Sequence, residues 1–123
     1  MQADILDLLQ RMVREKNMAM ILITHDMGVV AGRCDEVAVM YAGRIVEKAA
    51  VRDLFRGTRH PYTAALLASI PRITDDAHHT LDAIEGRPPD LINAPLGCAF
   101  APRCPLADAH CHEAKPDLTG EGH

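Results

Sequence analysis

The sequence predicts an α/β fold, and three patterns in its first half carry that prediction. An amphipathic helix pattern opens the chain, a continuous apolar run follows it, and a hairpin signal centred on a glycine comes next. Helices that alternate with short strands are typical of layered α/β architectures. We therefore expect helices packed on a sheet.

The opening helix is predicted from apolar residues that recur at helical spacing and form one face: Ile5, Leu8, Leu9, Met12 and Val13. Charged and amide side chains occupy the other face, so the helix is amphipathic and is expected to end near Asn17. Residues 18–24 form a short, continuous apolar run. Such a run is typical of a strand covered on both faces in a parallel sheet.

The next elements are predicted from capping and turn residues. Thr24 or Asp26 can cap a short helix over residues 27–33. Apolar stretches then flank Gly43, and glycine supplies the positive φ that tight hairpin turns require. A β-hairpin is therefore expected, with strands near residues 37–41 and 45–46.

Two further short helices are predicted before the chain changes character. One covers residues 51–55, and the other begins at Pro61, whose fixed φ suits a first helical position, and ends before Pro71. Seven of the eight prolines lie at or beyond Pro71, and residues 72–123 carry 4 basic and 9 acidic side chains. A regular core is therefore expected before Pro71 and a loop-rich, acidic appendage after it.

Composition narrows the class of protein. With 123 residues, 48% hydrophobic and 24% charged, the chain has the composition of a globular domain with a modest core. Because its net charge is -4, the chain lacks the positive field that attracts nucleic acids, and we expect no nucleic-acid partner. No apolar run reaches the roughly 20 residues of a membrane span, and no secretory signal opens the chain. We therefore expect a cytoplasmic location.

His25 is the first candidate site residue. It follows the apolar run directly, and in open α/β sheets ligands bind outside the carboxyl ends of the strands. An imidazole in this place can hydrogen-bond a phosphate oxygen or an attacking water. From position alone, a polar residue in a solvated loop is the simpler interpretation.

The surrounding sequence carries a resemblance. Ile-Leu-Ile-Thr-His-Asp-Met at residues 21–27, followed by residues 37–47, closely resembles the switch-histidine segment and hairpin of ABC-transporter ATPase domains. The resemblance implies that the chain is a C-terminal fragment of an ABC-type P-loop ATPase domain. It also implies that His25 is the catalytic switch histidine, which contacts the ATP γ-phosphate and helps position the attacking water.

A second resemblance names the subfamily. Arg-His-Pro-Tyr-Thr-Ala-Ala-Leu-Leu-Ala-Ser-Ile-Pro, which we call the His-Pro-Tyr segment (residues 59–71), resembles the extension of oligopeptide and dipeptide importer ATPases, a group that includes nickel importers. Residues 84–91 and 95–107 continue the resemblance. It implies two domains, with ATPase sequence over residues 1–58 and the loop-rich extension over residues 59–123. In the segment itself, His60 and Tyr62 are expected to have a docking role.

The resemblance also implies a setting for the chain. Its parent family couples ATP hydrolysis, with Mg²⁺, to peptide import across the cytoplasmic membrane, and its members lie peripherally on the cytoplasmic face. The implied partners are transmembrane permease subunits and a second, homologous ATP-binding subunit. The sequence contains no Gly-x-x-x-x-Gly-Lys-Ser/Thr run to hold the phosphates, so we expect no ATP hydrolysis by this chain alone.

Three cysteines near the end are candidate metal ligands. Cys98, Cys104 and Cys111 gather soft thiolates within a short stretch, which suits iron–sulfur or zinc, while unliganded thiols are the third alternative. Similar importers carry a fourth, downstream cysteine, and some hold a [4Fe–4S] cluster. Here the remaining ligand would have to be Cys34 or one of the histidines that flank Cys111. The alternative function is therefore a non-enzymatic metal- or iron–sulfur-binding interaction module.

Overall fold

The structure is a computed structural model that describes residues 2–70 and 84–119. Its elements are α1 (Gln2–Glu15), α2 (Met27–Arg33), β1 (Glu36–Tyr41), β2 (Arg44–Ala50), α3 (Val51–Arg56), α4 (Pro61–Ala68), a 3₁₀ helix (Ala101–Arg103) and α5 (Ala109–Glu113). Residues 71–83, where the predicted acidic appendage begins, and residues 120–123 lie outside the described part. The mixed α/β class is confirmed.

The chain divides into two compact units, Met1–Arg33 and Cys34–His123. The first contains α1 and α2, and the second contains the hairpin and every later element. The predicted domain boundary between residues 58 and 59 stays a prediction. None of the described helices is both long enough and apolar enough to cross a membrane.

Helix α1 ends where the sequence predicts, because Asn17 adopts a left-handed conformation with a φ of 50°. The Met18 N–H donates to the Val13 carbonyl at 2.9 Å, and the Asn17 N–H donates to the Arg14 carbonyl at 3.4 Å. This pair of bonds is the Schellman arrangement, which satisfies carbonyl groups that the helix leaves unpaired. Asparagine tolerates the left-handed region better than most residues do.

Arg33, at the end of α2, connects the two helices of the first unit. Its guanidinium forms an ion pair with Asp7 and donates to Gln10 Oε1 at 3.1 Å. The Gln10 amide in turn donates to the Arg33 carbonyl oxygen at 3.0 Å. The polar face of α1 therefore anchors α2, and of this unit's described residues only Val30 is a buried hydrophobic residue.

The strand predicted for residues 18–24 is wrong for this chain. These residues form neither a helix nor a ladder, and Ile21 and Ile23 are 91% and 95% exposed. A strand exists only if a neighbour accepts and donates its backbone hydrogen bonds, and the described residues contain no parallel neighbour for this run. The apolar pattern therefore marks a segment suited to a sheet that the described residues do not form.

The predicted hairpin is confirmed, and it makes an antiparallel sheet of two strands in the described part of the chain. Tyr41 pairs with Arg44 across a two-residue turn, in which Ala42 and Gly43 have φ values of 50° and 78°. Two successive positive φ values give the turn a twist that matches the strands. A bulge between Val39 and Met40 shifts the register of the ladder.

The core of the second unit lies on one face of this hairpin. Alternation along β1 and β2 places Val39, Tyr41, Glu47 and Ala49 on the buried side. Residues from α3 and from the start of the 3₁₀ helix complete the buried hydrophobic set: Val51, Leu54, Phe100 and Ala101. Helices α3 and α4 match the two predicted helices, and Pro61 occupies the first turn of α4 as expected.

Candidate functional site

The turn that carries His25 is shaped by its two neighbours. The Thr24 hydroxyl oxygen accepts the Asp26 N–H at 3.0 Å. Asp26 Oδ1 accepts the N–H groups of Gly28 and Val29 at 2.9 and 3.2 Å, so Asp26 caps α2 as the sequence predicts. His25 lies between these two anchors with its side chain exposed.

The His25 turn fits an accessory contact to a nucleotide and does not fit a complete nucleotide site. Nucleotide affinity in P-loop ATPases comes mainly from backbone N–H groups around the phosphates and from a bound magnesium ion. Within the first unit, the described turn offers one exposed imidazole, while the Asp26 carboxylate already accepts two amides. The catalytic role of His25 therefore stays a prediction that depends on phosphate-binding groups from another sequence.

The His-Pro-Tyr segment is fixed to the hairpin by a buried carboxylate. Glu47 on β2 is 1% exposed, and its two oxygens accept the backbone N–H groups of Arg59 and His60 at 2.8 and 3.2 Å. Charge-assisted hydrogen bonds of this kind are about twice as strong as neutral ones. Glu47 therefore determines where the segment begins on the sheet.

His60 acts as the N-cap of α4. Its Nδ1 accepts the Tyr62 N–H at 3.1 Å, which satisfies one of the amides that the first helical turn leaves unpaired. Burial lowers the pKa of His60 below its ordinary value, and the nearby Glu47 carboxylate opposes that shift without reversing it. The neutral ring that results keeps Nδ1 as an acceptor, and its proton lies on Nε2.

Three aromatic rings pack where the segment meets the hairpin. The Tyr41 and Tyr62 ring centroids are 4.5 Å apart, and Phe100 lies 5.3 Å from Tyr41 and 5.4 Å from Tyr62. The tilted and edge-on geometries are those that aromatic pairs favour. The docking role expected for His60 and Tyr62 is thus observed in these contacts.

Arg103 holds a second stretch of the extension onto the same cluster. Its guanidinium donates to the carbonyl oxygens of Ile84 and Glu85 at 2.8 and 2.9 Å, and to the Tyr41 hydroxyl at 3.2 Å. The guanidinium carbon also lies 6.0 Å from the centroid of the Phe100 ring. A single arginine therefore ties residues 84–85 to the hairpin.

Two of the three clustered cysteines lie close together. The Cys98 N–H donates to the Cys111 carbonyl at 2.8 Å, whereas the Cys104 N–H donates to the Ala101 carbonyl at 3.2 Å, at the end of the 3₁₀ helix. Gly97 allows the close approach, since a Cβ there would lie 2.3 Å from the Cys111 carbonyl oxygen. All three residues are only partly exposed.

The described residues do not fit the metal sites that the sequence suggests. Nowhere in residues 2–70 and 84–119 are three or more histidine, cysteine or acidic side chains placed to hold a metal ion. The backbone hydrogen bond with Asp108 lowers the pKa of Cys111, but the side-chain hydrogen bond, desolvation and nearby charges outweigh it, and the net shift is upward. Burial and, secondly, Asp35 raise the pKa of Cys34. A bound metal deprotonates its cysteine ligands, so these pKa shifts describe the free thiols only.

Sequence reasoning missed the roles of Glu47, Arg103 and Thr63. Glu47 could have been found from the alternation of β2, since it shares a face with Ala49. Thr63 is fully buried, and its hydroxyl has no hydrogen-bond partner among the described residues. For Arg103 no local signal exists, because its partners lie far away in sequence.

The comparisons with known proteins agree with this architecture. A family model described as "Oligopeptide/dipeptide transporter, C-terminal region" matches residues 46–111, just over half of the chain. The matched range runs from β2 to Cys111 and so includes Glu47, the His-Pro-Tyr segment, Arg103 and the clustered cysteines. The chain belongs to this family.

Its relatives are ATP-binding proteins of transporters. The chain is 50% identical over 122 residues to a putative peptide import ATP-binding protein of Brucella ovis, covering 95% of this chain and 36% of the relative. It is 48% identical over 122 residues to the oligopeptide transport ATP-binding protein OppD of Haemophilus influenzae (99% and 37%). It is 50% identical over 115 residues to Escherichia coli OppD (94% and 34%). The chain thus spans about a third of the length of the curated relatives it matches.

Proposed function

We propose that this chain forms the C-terminal part of the ATP-binding subunit of a peptide importer. The proposal rests on sequence identity. Over nearly the whole chain, about half of the residues are identical to those of oligopeptide transport ATP-binding proteins. Such a subunit binds ATP with Mg²⁺ and works with transmembrane permease subunits and a second ATP-binding subunit, at the cytoplasmic face of the membrane. The chain contributes His25 and the C-terminal extension.

Within that subunit His25 is the residue that meets the phosphates. Its side chain is exposed on a turn that Thr24 and Asp26 hold by backbone hydrogen bonds, so the imidazole is presented at a defined place. An imidazole there can accept a hydrogen bond from the attacking water or donate one to a phosphate oxygen. Binding of the phosphates and of the metal falls to residues outside this sequence.

The extension has a structural part in the same proposal. Glu47, His60 and Tyr62 fix the His-Pro-Tyr segment to the hairpin, and Arg103 fixes residues 84–85. All of these groups belong to the second unit, whereas His25 belongs to the first. We therefore assign them to the stability of the extension, and not to ATP hydrolysis.

A chimera tests the proposal. This chain replaces the matching C-terminal third of Escherichia coli OppD, and ATP hydrolysis and uptake of a labelled tripeptide are measured in cells that lack the native subunit. We expect uptake by the chimera and no hydrolysis by the 123-residue chain alone. His25→Ala in the chimera should lower hydrolysis by about 10²-fold or more, as loss of a proton-transfer or water-positioning group does.

His112→Ala is the matched control, because His112 is also exposed but belongs to the other unit. It should leave hydrolysis unchanged. A folded chimera that binds ATP but hydrolyses it equally well with and without His25 would show that the assigned role is wrong. A folded chimera that supports no uptake would show that the chain does not belong to a peptide importer.

A metal-binding module is the other function that the cysteines suggest, and the described geometry gives it no support. Anaerobic purification of the chain, followed by metal analysis and a visible spectrum, tests it directly. Stoichiometric iron or zinc would revive this hypothesis, and a metal-free, folded protein would end it.

A further inference from the structure

A partly open pocket of about 250 Å³ lies beside the hairpin in the second unit. Four stretches line it: the hairpin turn with β2, the residues just before α4, the loop that leads to the 3₁₀ helix, and residues 115–119. An apolar cavity of roughly 150 Å³ is known to hold benzene, so this pocket has room for a single ring with a short side chain. Neither the His25 turn nor the proposed ATPase role uses it.

One wall of the pocket is aromatic and preformed. Tyr41 and Phe100 belong to the lining and are held by ring contacts, but at 9% and 2% exposure they support the wall and present little surface of their own. Ile45 and Ala99 extend the apolar surface. Ligand pockets typically combine such a wall with a few polar groups that fix orientation. The wall therefore suits an apolar body of compact shape.

The charged residues of the lining favour an anion. Three cations line the pocket, Arg44, Arg59 and Lys115, against the two carboxylates Glu47 and Asp117. The Glu47 carboxylate accepts the amides of Arg59 and His60, which offsets its charge locally. A local excess of cations stands out in a chain whose net charge is -4.

His60 adds a neutral donor to the same lining. Its Nδ1 is occupied by the Tyr62 N–H, so in the neutral ring the proton resides on Nε2. The pocket thus offers cations and an N–H donor beside an aromatic surface. This combination matches a ligand that is anionic at one end and apolar at the other.

We propose that this pocket binds a small organic carboxylate whose apolar body, a ring or a branched chain, packs on the apolar wall that Ile45 and Ala99 form together with Tyr41 and Phe100. The carboxylate is held by the cations of the lining, chiefly Arg59 and Lys115. The site is independent of ATP hydrolysis and does not rest on the proposed function.

The test uses the ¹⁵N-labelled 123-residue chain, titrated with 3-phenylpropionate, its neutral isostere 3-phenylpropanamide, and acetate. We expect saturable amide shifts at Ile45, Ala99 and Phe100, and a Kd for 3-phenylpropionate at least about tenfold lower than for either other compound, since a charged contact and the apolar body both contribute. No shifts at these residues would overturn the proposal. Equal affinity for the amide would overturn carboxylate recognition, and equal affinity for acetate would overturn the apolar site.

Substitutions locate the carboxylate. Arg59→Gln keeps the backbone amide that Glu47 accepts, and Lys115→Gln changes an exposed side chain, so both variants should fold. Each should weaken binding of 3-phenylpropionate several-fold and leave the amide isostere unaffected. Lys48→Gln is the matched control, because Lys48 is exposed on the same hairpin but does not line the pocket. Equal losses in all three variants, or in none, would contradict the assignment.

Discussion

Glu47 should be among the residues on which the stability of the second unit depends most. Its carboxylate is 1% exposed and accepts two backbone amides, those of Arg59 and His60. Hydrogen bonds to a charged group contribute about 1.5–3 kcal/mol each, so Glu47→Ala should cost about 3–6 kcal/mol. The free energy of unfolding of a whole domain is about 5–15 kcal/mol, so this loss removes a large share of it. The milder Glu47→Gln is therefore the informative variant.

Glu47→Gln keeps one carbonyl oxygen and places an NH₂ group against the other backbone N–H. One hydrogen bond therefore weakens, and the other is lost because two N–H donors face each other. Together these changes should lower the free energy of unfolding by about 2–3 kcal/mol. Glu36→Gln is the matched control on the same hairpin. Glu36 is exposed and lies 3.7 Å from Lys48, and such surface pairs contribute less than about 1 kcal/mol.

Urea unfolding at pH 7 measures both variants, followed by circular dichroism and by tyrosine fluorescence. The chain has no tryptophan and only two tyrosines, Tyr41 and Tyr62, which both belong to the aromatic cluster beside Glu47. The fluorescence therefore reports on the region under test. If Glu47→Gln and Glu36→Gln lose the same free energy within about 0.5 kcal/mol, the anchoring role of Glu47 is wrong.

Three further changes test the same unit. Gly97→Ala should lower the free energy of unfolding by about 1–3 kcal/mol or more, because the new Cβ would lie 2.3 Å from the Cys111 carbonyl oxygen. Gly57→Ala should leave the free energy of unfolding unchanged, because the space around Gly57 is open. Thr63→Val should stabilise by about 1 kcal/mol in urea unfolding, since it removes a buried hydroxyl without a partner in the described chain. Burial lowers the pKa of His60, so the unfolded chain binds the proton more readily and stability should fall as pH drops below about 6.5. His60→Asn keeps a capping acceptor and should flatten that dependence in unfolding measured at several pH values; an unchanged slope would refute it.

The elements that sequence reasoning found are those whose signals are local. The cap at Asp26, the turn at Gly43 and the proline start of α4 each depend on residues within one turn of the chain, and all three are present. The run over residues 18–24 has the apolar pattern of a buried strand but forms none, because pairing depends on a neighbour that the described chain does not supply. The hydrophobic pattern predicts which secondary structure a segment can adopt. Whether the segment adopts it depends on hydrogen-bonding neighbours elsewhere in the chain.

The same difference between local and long-range signals separates His25 from the pocket. His25 was located from its neighbours and from a resemblance, and the structure adds the hydrogen bonds that shape its turn. The pocket, by contrast, joins residues 41–47 to residues 115–119, and no local pattern brings such distant stretches together. Arg103 shows the same limit, since its three hydrogen-bond partners precede it by 18 to 62 positions.

The His-Pro-Tyr segment identifies the family, yet its residues make the capping and packing contacts that hold the segment in place. His60 caps α4, Pro61 occupies its first turn, and Tyr62 packs against Tyr41 and Phe100. Each of these roles demands a particular side chain, which is enough to make the segment recognisable without any part in chemistry. Substitutions at His60 or Tyr62 should therefore lower the stability of the extension while the ATP-hydrolysis rate of folded chimera molecules stays unchanged.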